Sequence, residues 1–220
     1  VTEAVVFDLD GVLLDSEDRW DAARRALVAE RGGTWPEGGT ADMQGMSSPE
    51  WSAYLATRAG LDLDPAAVNQ LVVARLLAGY DRDLPLLPGA VAAVGRLGSR
   101  WPLGLASSSN REVIERVLGD AGLRGAFAVV LSSEEVARGK PAPDVYAEAA
   151  RRLGRDPAAC VAVEDSANGV RSALDAGLAV VALPRPGHPL PGELAGRAAL
   201  VLDDLSGLTV PALDPLGRAP

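Results

Sequence analysis

Apolar residues fall along the chain in short continuous runs separated by stretches of helical spacing. Glu3–Leu9 reads E-A-V-V-F-D-L, a run rich in β-formers and the pattern of a strand buried on both faces. Similar runs recur at Pro102–Ala106, Phe127–Leu131, Cys160–Val163 and Leu178–Leu183, with a last candidate at Ala199–Leu202. Between them the spacing is helical over Ala90–Ser99, Arg111–Ala121, Asp144–Leu153 and Asn168–Ala176. Pro88-Gly89 opens the first of these, Ser109 or Asn110 stands where a cap belongs in the second, and Gly177 follows the last. This alternation predicts a Rossmann-like α/β fold, a parallel sheet covered by helices on both faces in three layers. In such folds an active site lies beyond the C-terminal ends of the strands, near the topological switch point.

The segment from Ser16 to Pro85 breaks the rhythm. It carries helical patterns at Glu17–Glu30, Pro49–Ala59 and Pro65–Gly79 and no strand pattern. Asp64-Pro65 is a helix start, with Asp as cap and Pro at the first helical position. Gly32-Gly33 and Pro36–Gly39 read as loops. The expectation is a helical cap domain over residues 16–85, inserted into an α/β core made of residues 1–15 and 86–220. Hinges are expected near Asp15–Glu17 and Asp83–Pro88.

Composition sharpens this picture. With 220 residues, 48% of them hydrophobic, the chain has room for a core domain carrying a smaller insert. The formal charge of −9 argues against nucleic acid or an anionic membrane as partner. No apolar run reaches the roughly 18 residues of a membrane span, and Val1–Phe7 is too short and lacks the basic flank of a secretion signal. A single cysteine, Cys160, excludes an internal disulfide framework and fits a reducing compartment, so a cytoplasmic protein is expected, as a monomer or weak homodimer. Lys140 is the only lysine among 21 basic residues, so its presence calls for a reason.

That reason lies in the acidic residues. The first predicted strand runs out into Phe7-Asp8-Leu9-Asp10-Gly11, and residues two apart in an extended segment point the same way. Two carboxylates there are costly unless a positive charge sits between them. A second acidic pair, Glu164-Asp165, follows another apolar run. Carboxylates converging from two strand ends make a hard-cation site, for which Mg²⁺, with all-oxygen ligands completed by water and phosphate, is the fit. No His or Cys cluster suggests zinc or iron. Ser107-Ser108-Ser109-Asn110 follows a strand and opens a helix, where hydroxyls and amides bind anions. Lys140, in Gly139-Lys140-Pro141-Ala142-Pro143, supplies a compact ammonium suited to a phosphate or a carboxylate. Taken singly, each motif also has an ordinary reading as turn, helix cap or surface lysine. His188, the sole histidine, has no evident partner, so a serine–histidine hydrolase is unsupported.

In their order along the chain, Asp8-x-Asp10-Gly11, the Ser107 motif, Lys140 before Pro141, and Glu164-Asp165 resemble the haloacid dehalogenase-like hydrolase superfamily. The match is to the subgroup with a helical cap after the first motif, which includes phosphoglycolate phosphatase-like enzymes and β-phosphoglucomutase. The resemblance implies that Asp8 is the nucleophile, forming an aspartyl-phosphate, and that Asp10 is the general acid and base. It implies that Ser107, Ser108 and Lys140 hold the phosphoryl group. Asp8, Asp10 (through its carbonyl), Glu164 and Asp165 would bind Mg²⁺. Trp20, Gly45, Met46, Ser47 and Asn110 are candidate contacts for the leaving group. Asp10 argues against dehalogenation, and a cap without lysine argues against a Schiff-base hydrolase. Mutases of the subgroup place a histidine and an arginine where this chain has Trp20 and Ser48, which offer no cation to grip a second phosphate. The implied function is therefore a phosphatase for a small phosphorylated metabolite. A β-phosphoglucomutase-like mutase and a non-catalytic binding protein are the alternatives.

Overall fold

The structure, a computed structural model, describes residues 1–43, 46–185 and 189–217. Six strands form one parallel sheet: β1 (Ala4–Phe7), β2 (Leu103–Ser107), β3 (Phe127–Ser132), β4 (Cys160–Glu164), β5 (Ala179–Ala182) and β6 (Leu200–Val201). Their order is β3-β2-β1-β4-β5-β6. The chain builds outward from β1 through β2 to β3, then returns to the other side of β1 as β4. The C-terminal ends of β2, β1 and β4 thus flank the switch point where such sheets place their ligands.

The helices are α1 (Glu17–Glu30), α2 (Gly39–Met43), α3 (Ser48–Arg58), α4 (Pro65–Tyr80), α5 (Ala90–Gly98), α6 (Arg111–Asp120), α7 (Asp144–Leu153), α8 (Ala167–Asp175), α9 (Gly192–Arg197) and α10 (Val210–Leu213). The strand pleat sorts the core. Val5 and Phe7 join one apolar cluster with Val94 and Leu97 of α5 and Val113 and Val117 of α6. Ala4 and Val6 join a second with Val145 and Ala149 of α7 and Val170 and Ala173 of α8. β1 is therefore apolar and buried on both faces, as its continuous run predicted.

The segment between β1 and β2 is helical, with α1 and α3 both packed on α4. The Pro36–Gly39 stretch, expected as loop alone, leads into the single-turn helix α2, whose Met43 is 1% exposed and fastens it to the apolar cluster. Local caps follow the sequence. Asp64 accepts from the Ala67 amide at 2.8 Å to start α4, and Ser47 with Glu50 forms a capping box at α3. Ser16 is the exception: it stands at the α1 cap position but makes no capping bond, because its hydroxyl is used elsewhere. The two chain crossings into and out of the helical segment run side by side. The Asp15 amide donates to the Pro85 carbonyl at 2.7 Å, and the Leu87 amide to the Leu13 carbonyl at 2.9 Å. No helix among the described residues is long and apolar enough to cross a membrane.

Candidate functional site

The ends of β1, β2 and β4 and the Lys140 loop meet at the floor of a cavity of about 400 Å³, roofed by residues of α1, α2 and α3. Asp8 continues β1, its amide donating to the Val163 carbonyl of β4 at 3.0 Å, and its residue is 7% exposed. Glu164 closes β4, and Asp165 leads into α8. One carboxylate oxygen of each of Asp8, Glu164 and Asp165 lies within 4.8 Å of the others, and all three residues are buried. Asp165 reaches this position because residue 11 is glycine: φ there is +76°, and a Cβ would fall 1.8 Å from Asp165 Oδ2. Gly169 does the same for Glu164, whose Oε1 would lie 1.8 Å from a Cβ on α8.

Lys140 is the counter-charge. Its Nζ lies 3.0 Å from Asp8 Oδ1 and 2.6 Å from Glu164 Oε1. Tyr146, on α7, fixes the pair from behind. Its hydroxyl donates to Glu164 Oε1 at 2.9 Å, and its ring centroid lies 4.9 Å from the ammonium. Glu164 Oε2 accepts from the amides of Asp165 and Ser166 at 3.0 and 3.2 Å, so both of its oxygens already have protein partners. Asp8 Oδ1 is an ion-pair partner of Lys140 without an aligned hydrogen bond, which leaves it a buried acceptor still open.

Fully ionised, three carboxylates against one ammonium would leave two negative charges uncompensated. Burial raises Asp8 to about 8, with Lys140 opposing the shift and Glu164 and Asp10 adding to it. Burial, then Glu164 and Asp8, push Asp165 well above the usual carboxylate range. Burial lowers Lys140, but the charges of Asp8 and Glu164 outweigh it and the net shift is upward. A cluster of three carboxyl groups against one ammonium, with hard oxygen donors and an open Asp8 oxygen, fits a divalent hard cation.

Asp10 belongs to a different network. Its Oδ1 accepts from Ser16 Oγ and, at 3.2 Å, from the Trp20 indole N–H. Its Oδ2 accepts from Ser109 Oγ at 2.6 Å and from Ser107 Oγ at 3.4 Å. The side chain is thereby tied both to the β2 end and to α1. Ser107 Oγ also accepts from the Ser109 amide at 3.0 Å. Ser108 lines the cavity with its hydroxyl buried and unpartnered.

Of the residues singled out in the sequence, Asp8, Asp10, Ser108, Lys140 and Asp165 line the cavity, together with Trp20 and Met46 from the helical segment. Ser107 and Glu164, both fully buried, stand behind it. Two leaving-group candidates are engaged elsewhere. The amide and hydroxyl of Ser47 both donate to Glu50. Asn110 accepts from Ser48 Oγ at 2.8 Å and donates to Glu134 at 2.7 Å, bridging α3 to the core. Gly45 and His188 lie outside the described residues.

Sequence reasoning missed Ser16, Ser109, Tyr146 and Arg24. Ser109 sat within the quoted motif, and Ser16 was named only as the start of the helical segment. The expectation that the helical segment offers no cation to the site needs correction. Arg24, one helical turn beyond Trp20 on α1, lines the cavity with its residue 9% exposed. Its guanidinium carbon lies 5.2 Å from the Trp20 ring centroid and 4.7 Å from that of Trp51.

The sequence and the fold have known relatives. Residues 2–177 match the sequence model of the haloacid dehalogenase-like hydrolases. The chain is 34% identical to hexitol phosphatase B of Escherichia coli K12, over 97% of this chain and 96% of that protein. It is 31% identical to the fructose-1-phosphate phosphatase YqaB of the same organism, over 80% of this chain and 94% of that one. The crystal structure of CbbY from Rhodobacter sphaeroides in complex with phosphate superposes with a TM-score of 0.86 at 28% identity, covering 97% of this chain and 100% of that one.

Proposed function

We propose that this chain, which belongs to the haloacid dehalogenase-like hydrolase family, is a Mg²⁺-dependent phosphatase of small phosphorylated metabolites that works through an aspartyl-phosphate on Asp8. The observation that carries the reading is the buried cluster of three carboxyl groups at the switch point, with one lysine as its only counter-charge among the described residues. The phosphatase relatives, similar over nearly the whole chain, support it.

Asp8 is the acid whose oxygen is free to attack, and the Lys140 ammonium beside it favours its ionised form. As the Asp8 oxygen bonds to phosphorus, the bond to the substrate's alcohol oxygen breaks. Asp10, held by four donors, gives that oxygen its proton and then removes a proton from the water that cleaves the acyl phosphate. Ser108, with an unused hydroxyl, and Lys140 are placed for the phosphoryl oxygens. Asp8, Asp165 and the Asp10 carbonyl would hold Mg²⁺, with Glu164 completing the acidic set. Bound there, the cation would neutralise charge on the phosphoryl oxygens. Residues 16–85 act as a cap. The paired crossings at Asp15–Pro85 and Leu13–Leu87 are its hinge, and closure excludes water from the acyl phosphate until hydrolysis.

The decisive experiment is hydrolysis of para-nitrophenyl phosphate with and without Mg²⁺. Turnover that needs the cation and is lost on chelation is expected. No turnover at any Mg²⁺ concentration would overturn the reading in favour of a binding protein. Because Arg24 brings a cation into the cavity, the mutase alternative also warrants a direct assay. Conversion of β-glucose 1-phosphate to glucose 6-phosphate with a trace of the bisphosphate would replace hydrolysis as the main activity.

A further inference from the structure

Arg24 is the one cavity-lining cation of the helical segment among the described residues, and its burial is hard to explain by packing alone. Its Nε is buried without a hydrogen-bond partner. The nearby acids do not pair with it. Asp21 is taken by Arg25 Nε and, at 2.7 Å, by the Thr40 hydroxyl, and both oxygens of Asp10 are bonded as described. Burial holds its guanidinium down at about 10, against the raising influence of Asp21, Asp10 and Glu17. The faces of Trp20 and Trp51 support it by cation–π contact, which fixes its plane and leaves the fork of N–H donors as its polar opportunity. A buried guanidinium costs free energy unless an acceptor meets it, and none of the described side chains does so.

We propose that Arg24 is the specificity residue of this site and that it binds a carboxylate on the leaving alcohol, so that the substrates are phosphate monoesters of hydroxy acids. This deepens the phosphatase reading and rests on it. The fork of Nε and a terminal nitrogen matches a planar carboxylate bidentately. A carboxylate is favoured over a second phosphate because Glu17, Asp18 and Asp21 also line this end of the cavity. One guanidinium balances one negative charge there, not two.

Matched substrate pairs test this in the presence of Mg²⁺. Glycerol 3-phosphate and 3-phosphoglycerate differ only by a hydroxymethyl group against a carboxylate, and sorbitol 6-phosphate and 6-phosphogluconate differ likewise over a longer chain. Wild-type protein is expected to prefer the carboxylate member of at least one pair by about tenfold or more in kcat/KM, the scale of a charge-assisted hydrogen bond. In Arg24→Gln that ratio should fall to about one, and Arg24→Lys should restore part of it. Equal kcat/KM within both wild-type pairs, or a ratio untouched in Arg24→Gln, would overturn the proposal. So would an Arg24-dependent preference for fructose 1,6-bisphosphate over the acids. Should the glutamine variant fail to fold, gluconate against sorbitol as inhibitors of wild-type para-nitrophenyl phosphate hydrolysis decides the question. Stronger inhibition by gluconate supports carboxylate recognition, and equal inhibition refutes it. Failure of the underlying reading is separate and recognisable: wild-type protein would then turn over neither these esters nor para-nitrophenyl phosphate, whereas turnover of para-nitrophenyl phosphate with none of these esters would overturn the carboxylate proposal alone.

Discussion

The floor and the roof of the cavity are built on opposite plans. The floor, from the ends of β1, β2 and β4, is a dense array of charges in which Asp10, Lys140 and Glu164 are held by partners within 3.4 Å while Asp8 Oδ1 and Ser108 Oγ stay open. The roof, from α1 to α3, is aromatic and sulfur-bearing, with Trp20, Met43, Met46 and Trp51, and it holds one guanidinium with an unused donor. A fixed electrostatic floor suits a step common to all phosphate esters. A roof of large rings and one directed cation suits the part of the substrate that varies. The two halves meet at Asp10, whose carboxylate is bonded to Ser107 and Ser109 below and to Ser16 and Trp20 above.

The sharpest way to break this division is to remove the floor's nucleophile. Asp8→Asn should abolish para-nitrophenyl phosphate turnover, a loss of about 10⁴-fold or more, while circular dichroism and the melting profile show an intact fold. Near-wild-type turnover would dismiss Asp8 as nucleophile. Lys140→Met tests the floor as a structure. It strands Asp8 and Glu164 without their counter-charge, and breaking such a buried pair costs about 3–5 kcal/mol in urea unfolding. Substitutions confined to the roof should cost less, since no comparable buried ion pair is lost.

A smaller, graded effect follows from the raised Asp8. Held near 8 in the folded protein against an ordinary carboxyl value of 3.8, it keeps a proton that the unfolded chain has released. Between those values the folded state binds more protons, so the stability of metal-free protein should fall as pH rises through that window. Mg²⁺ should reverse the trend, because it replaces the proton as the neutralising charge. At a hundredfold excess over Kd the melting temperature should rise by about 5–10 °C near pH 8, and by progressively less toward pH 5. In Asp8→Asn both the pH slope and the Mg²⁺ shift should shrink. A flat profile that Mg²⁺ leaves unchanged would separate the acidic cluster from metal binding.

The same contrast explains what could be read from the sequence. Asp8, Asp10 and Asp165 follow apolar runs, so strand direction alone carries them to the switch point; Lys140, in a loop, was legible instead as the only lysine of the chain, and four motifs in order carried the family. The roof is helical, and which face of α1 meets the cavity depends on how α1 docks. Trp20 and Arg24 are four apart and share a face, yet Arg24 is one of three arginines on α1 and carries no local mark. Ser47 failed as a ligand candidate because the capping box claims it, a signal present in Ser47-x-x-Glu50 and outweighed by its nearness to Met46. Tyr146 was hidden because its role exists only through a contact with Glu164, 18 residues away.

The smallest expected effect bears on where the two halves join. Trp20→Phe keeps a smaller aromatic ring against Trp51 and Arg24 and removes the N–H that reaches Asp10 Oδ1 at 3.2 Å. Losing one part-buried hydrogen bond of this kind is worth about 1 kcal/mol, so kcat should fall by about three- to tenfold with KM little changed. The leaving group discriminates the cause. If Trp20 orients Asp10 as general acid, an alkyl phosphate, whose alcohol must be protonated as it departs, should suffer more than para-nitrophenyl phosphate, whose phenolate leaves without help. An equal loss on both esters would make Trp20 a packing residue of the roof. A loss confined to the alkyl ester would mean that α1, seated, completes the acid on the floor, so that cap closure and proton transfer are coupled through a single indole.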